Sequence, residues 1–183
     1  GAEGQGVISV YPLSNLADKP STISSDHWLI GASRDSLLLS PYSPTTGNDR
    51  STRFRPFTVT QMGTDGTVRR TITGVNRVYP GGWLQRFSDP AAAAALATGT
   101  AGKDDDQTRA AWDALPTQIV DLNSGSTHDL MGGRTESVGV PTGPGLLISH
   151  EGADGNGSPQ QFWLSADDDG HPHTENLEQF ANK

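Results

Sequence analysis

The chain has no cysteine, few lysines and no long apolar run, and each shortage removes a class of function. Without cysteine there is no disulfide framework and no thiolate nucleophile. No apolar stretch approaches the roughly 20 residues a helix needs to cross a bilayer. Basic residues are also scarce: 13 Lys and Arg stand against 21 Asp and Glu, a formal net charge of −8 at pH 7. A nucleic-acid partner needs a basic stripe to neutralise phosphates, and an anionic membrane surface selects the same sign. Neither partner is expected.

What is present is a pattern that recurs three times. An apolar strand reads Ser36–Ser40, then Trp83–Phe87, then Leu146–Ser149. Upstream of each lies a shorter run: His27–Gly31, Val75–Tyr79 and Ser137–Val140. Downstream come Phe57–Thr60, Gln118–Leu122 and Phe162–Ser165, each closed by a tight polar turn and a last strand. Asp65-Gly66 is the strongest hairpin signal, because glycine accepts the positive φ that such turns require. The pattern predicts four-stranded antiparallel meanders over about 27–73, 74–132 and 136–180, with an N-terminal hairpin at 7–24, all in one domain spanning 1–183. Consecutive strands should be sheet neighbours, and the second-to-third connections should all emerge at one end.

The phrase Ile119-Val120-Asp121-Leu122-Asn123-Ser124-Gly125 resembles the outer-strand motif of β-propeller blades. That resemblance implies an all-β fold of propeller-like meander repeats. A β-sandwich or open barrel is the alternative, because three and a half units do not close an ordinary ring. Open edges in such a set predict self-association or completion by further blades.

One segment breaks the β pattern. Ser88-Asp89-Pro90 precedes an alanine run that ends at Gly99, which is the punctuation of a capped helix. A second helix is expected over 105–115, with Asp104 as its cap and Pro116 as its stop.

Chemistry is thinner. His171 and His173 follow three aspartates and are weak candidates for a divalent metal, against the simpler reading of an exposed turn. His128 falls at a comparable place, on an outer strand where solvent is expected. The loop 152–157 lacks the alternating oxygens and closing Glu of a calcium site. Ser149 and His150 are adjacent along a strand and face opposite ways, so they cannot form a nucleophile–base pair. Trp28, Trp83 and Trp163 are expected in the core, and Trp112 at least partly on the surface.

The second-to-third connections, 43–56, 88–116 and 150–160, are the longest and most varied, and loops on a rigid scaffold are where function concentrates. They carry Arg53, Arg55, Asp104, Asp106, Arg109, Trp112, Glu151 and Asp154, the candidate contacts for a protein or carbohydrate partner. Trp112 serves as the apolar anchor. No cofactor is implied. Few lysines beside abundant Ser and Thr resemble a secreted or cell-surface bacterial protein, so the expected setting is extracytoplasmic. The expected function is a non-enzymatic binding or scaffold domain. The alternatives are a carbohydrate-active enzyme using loop carboxylates and a purely structural module.

Overall fold

The structure is a computed structural model, and it describes residues 6–11, 14, 16–41, 56–103, 105–138, 145–152 and 158–177. Strand accounts for 54% of them. The elements are β1 (Gly6–Val10), β2 (Ser21–Ser25), β3 (Trp28–Ala32), β4 (Ser36–Ser40), β5 (Phe57–Gly63), β6 (Val68–Tyr79), β7 (Trp83–Phe87), α1 (Pro90–Gly99), α2 (Asp106–Asp113), β8 (Thr117–Asp121), β9 (Thr127–Leu130), β10 (Gly133–Ser137), β11 (Leu146–Gly152), β12 (Gln160–Ala166) and β13 (Pro172–Asn176).

Every strand pairs antiparallel with its neighbour in sequence. β1 and β2 form a hairpin, β3 to β9 one ladder, and β10 to β13 a four-stranded meander. Among these sheets none closes into a ring. The second-to-third strand pairs β4–β5, β7–β8 and β11–β12 are all direct neighbours. The third meander begins earlier than expected: β10 occupies 133–137, with Gly133 opposite Gly152, and 139–144 lie outside the described residues.

The seven-stranded ladder is two meanders sharing β6. Residues 68–72 of β6 pair with β5 and 77–79 with β7, while Val75 pairs with both, opposite Phe57 and Arg86. Gly74 between them has φ +73°, a conformation that costs a glycine nothing and other residues much. A straight strand of 12 residues would span about 40 Å at ~3.3 Å per residue. Yet Arg69 near its start bridges to Asp35 at 2.8 Å, and Gly82 just past its end packs on Ser33. β6 therefore bends sharply at Gly74, and the two meanders lie face to face.

Three apolar clusters follow from that stacking. Ile8, Val10 and Ile23 of the hairpin meet Leu37, Leu39 and Met62. Leu38, Val59, Ile72 and Val75 meet Leu84 and Leu122 between the first two meanders. Tyr79, Trp83 and Ile119 meet Leu146, Ile148 and Leu164 between the second and third. β4 thus sends Leu37 and Leu39 one way and Leu38 the other, and it is buried along its whole length. A strand covered on both faces reads as a continuous apolar run, which is why Leu37-Leu38-Leu39 does not alternate.

The helices fill the connection after β7. The Asp89 carboxylate accepts the N–H groups of Ala91 and Ala92 at 2.9 and 3.0 Å. α2 is capped by Asp105, whose carboxylate accepts from Thr108 N at 2.7 Å, one residue later than the Asp104 expected from the sequence. Together the helices bring Ala93 and Trp112 onto Phe87, with Leu96, Ala97 and Leu115 around them.

Candidate functional site

Three tight turns define one end of the molecule. Asn123 accepts the N–H of Arg34 at 2.9 Å and donates to the Gly81 carbonyl at 2.7 Å, which ties the turns after β3, β6 and β8 together. Gly170, in the turn after β12, lies against the Ser124 carbonyl. Asp121 organises this end: buried itself, it accepts from Asn123 N at 2.9 Å and from Ser124 Oγ at 2.6 Å. β4 and β7 run away from these turns, while β12 runs into them. The chain therefore leaves β4 at Ser40, β7 at Phe87 and β11 at Gly152 at the opposite end. Contacts there agree: Gly74 packs on Pro90, Gly132 on the carbonyls of Asp113 and Ala114, and Arg134 Nε donates to Asp113 Oδ2 at 3.1 Å.

That opposite end is the candidate surface. Of the residues expected to form it, Asp106 is exposed in the first turn of α2 and pairs with Arg109 at 2.7 Å. Glu151 is half-buried near the end of β11, directly across from Arg134. Arg53, Arg55, Asp104 and Asp154 lie outside the described residues. Trp112 is not a surface anchor. It is 5% exposed, its ring 5.5 Å from Phe87, because α2 turns its apolar side onto the end of β7.

The exposed apolar groups at this end are others. Trp28 is 57% exposed at the start of β3, opposite Ser40, where a core residue was expected. Met131 is 80% exposed between β9 and β10. Met131 carried a readable signal, an apolar residue set against Gly132-Gly133 outside any strand. Trp28 carried none, since alternation alone does not tell a strand's bare end from its covered middle. Of the other tryptophans, Trp83 is core at 2% exposure and Trp163 is half-buried.

The carboxylates with displaced pKa values all move down. The His27 ring beside Asp26 holds that carboxyl below the usual range. Backbone N–H groups do the same for Asp65, Asp105 and Asp167, through Thr67, Thr108 and His171 respectively. These are turn and cap residues held ionised, the opposite of what a general acid needs. Burial pushes the Tyr79 hydroxyl up to about 12; it donates to Gln85 Oε1 at 2.8 Å, and Gln85 in turn donates to Thr117 at 2.9 Å.

The histidine candidates for a metal part company. His171 belongs to the turn, and its ligand atom lies within 4.8 Å of those of Asp167 and Asp169. All three are exposed, and the Asp167 carboxylate is already engaged by the N–H groups of Asp169 and His171 at 3.0 and 2.7 Å. His173 sits on β13 opposite Ser165 and is not in that group. His128 is buried at 4% exposure rather than solvated, because β13 packs across β9.

No family model, no curated protein and no solved structure matches this chain.

Proposed function

We propose that the protein is a binding or scaffold domain without catalytic chemistry, whose partner docks on the end where β4, β7 and β11 finish. The observation that carries this reading is that β4, β7 and β11 all finish there, beside two exposed apolar side chains, Trp28 and Met131. Polar pairs accompany them: the Asp26–His27 hydrogen bond and the ion pairs Asp106–Arg109 and Asp113–Arg134. Aromatic anchors rimmed by polar groups are the usual composition of an interface. We extend the reading to a propeller-like stacking of the meanders and to an extracytoplasmic setting, the first resting on the shared turn end and the second on composition.

The test is a screen of glycan and protein arrays with the intact chain, followed by Trp28→Ala and Met131→Ala. Trp28→Ala should weaken any specific ligand by about tenfold or more, the loss typical of an aromatic anchor, and leave the thermal midpoint in place. A ligand whose affinity survives both substitutions places the site elsewhere. Turnover of an arrayed glycan rejects the non-enzymatic reading itself.

A further inference from the structure

We propose that the joint between the second meander and β10–β13 is acid-labile: below about pH 6 the last four strands loosen while the first two meanders stay packed. Two histidine–threonine pairs bracket the apolar cluster of this joint. On one side His128 of β9 shares a hydrogen bond with Thr174 of β13 at 3.0 Å, and its ring lies 5.9 Å from that of Trp83. On the other side His150 of β11 shares one with Thr135 of β10 at 2.9 Å. The Thr135 carbonyl accepts from Arg77 Nη1 of β6 at 2.6 Å, which carries that second pair across the joint.

His128 is the sensitive member. Its Nε2 is buried and has no hydrogen-bonding partner of good geometry. A second ring proton, on whichever nitrogen the neutral tautomer leaves bare, brings a charge into an apolar seam. Burial holds the ring's pKa below its ordinary 6.5. Asp121 of β8 and the nearby Ser165 carbonyl of β12 favour the charged form, and His173 of β13 opposes it. Burial lowers His150 as well, and Arg77 of the second meander reaches the carbonyl of its partner Thr135.

The sign follows from linkage. Above 6.5 both folded and unfolded chains carry neutral rings, and the joint keeps its full strength. As pH falls through 6.5 the unfolded chain takes up protons that the folded one refuses, so stability is lost down to the folded-state values. The loss falls on the last sheet because Leu146, Ile148 and Leu164 all face the joint. Once parted, β10–β13 keeps no separate apolar cluster of its own among the described residues. Only Met131 and Gly132 connect it to β9, whereas the first two meanders share a strand.

Native-state hydrogen exchange on the full chain tests this, with rates corrected for intrinsic exchange. Between pH 7 and pH 5 the amides of β11 and β12 should lose about tenfold more protection than those of β4 and β5, the factor one pH unit supplies per proton. His128→Phe keeps a ring against Trp83 and removes the proton site, so most of that difference should vanish. An NMR titration of the wild-type rings stands beside it, and needs no variant to fold: His128 must titrate below 6.5 in the folded protein. Equal loss of protection in both strand groups overturns the proposal, as does a folded His128 that titrates at 6.5 or above. So does a folded His128→Phe protein with the full pH dependence.

Discussion

The two large seams of this protein are built from the same kind of strand and differ in what borders them. Between the first and second meanders the buried cluster is Leu38, Val59, Ile72, Val75, Leu84 and Leu122, aliphatic throughout, and the chain crosses the seam as one unbroken strand. Between the second and third the cluster contains Tyr79 and Trp83, and is flanked by His128 and His150. The first seam has no titratable group in its cluster, so what that cluster contributes depends on area alone. The second mixes area with polar groups whose satisfaction depends on pH. A stack of similar layers can thus hold joints of unequal permanence, and the unequal one is set by side chains on edge strands.

Matched cavities break the comparison most forcefully. Leu38 and Leu164 are both fully buried, so Leu→Ala at either should cost about 3 kcal/mol, within the usual range for core leucines. The consequences should differ. Leu38→Ala lowers the midpoint of a single urea transition, since both meanders unfold together. Leu164→Ala splits off an earlier transition for β10–β13. A single cooperative transition in both variants would show that the seams are energetically equivalent.

Gly74 sharpens the same point from the covalent side. Its φ of +73° strains any other residue, and an added Cβ would meet Pro90 at 2.8 Å. Gly74→Ala should cost about 1–3 kcal/mol, combining left-handed strain with the clash. Its effect should register at the first seam and at the α1 contact, with β10–β13 left intact by hydrogen exchange. The His128→Phe experiment is the complementary cut, acting on the second seam alone.

Gly74 also marks where the sequence was legible and where it was not. Strand identity, neighbour pairing and the two capped helices could be read, because turns such as Asp65-Gly66 and caps such as Asp89-Pro90 are local chemistry. Gly66 has φ +86°, and Asp65 accepts the Thr67 N–H at 2.9 Å, as a glycine turn predicts. The expected unit boundary fell at 73/74, yet the strand continues through Gly74. Whether a positive φ ends a strand or bends it depends on what lies on either side, here β5 and β7 on successive stretches. The candidate site was read less well. Trp112 is buried by Phe87 and His128 is buried beside Trp83, contacts across 25 and 45 residues of sequence that no periodicity encodes. Trp28 is bare for the reverse reason: β3 has a partner strand on one side only.

The smallest expected effect comes from the ion pair at the turn end. Arg69 and Asp35 meet at 2.8 Å, with their side chains 43% and 65% exposed. Water screens such a pair, and holding two long side chains costs rotamer freedom, so Arg69→Ala should change stability by less than about 0.5 kcal/mol. Arg69 also donates to the Asp35 carbonyl at 3.2 Å, a bond that solvent replaces at this exposure. The comparison gains from this null. If Arg69→Ala is silent in urea while Leu38→Ala is not, the first seam is held by its aliphatic cluster, and the Arg69–Asp35 tie within the first meander only accompanies the fold of β6. A loss above about 1 kcal/mol would instead mean that a charged tie inside the first meander, between β6 and the turn before β4, adds measurably to what the aliphatic cluster supplies.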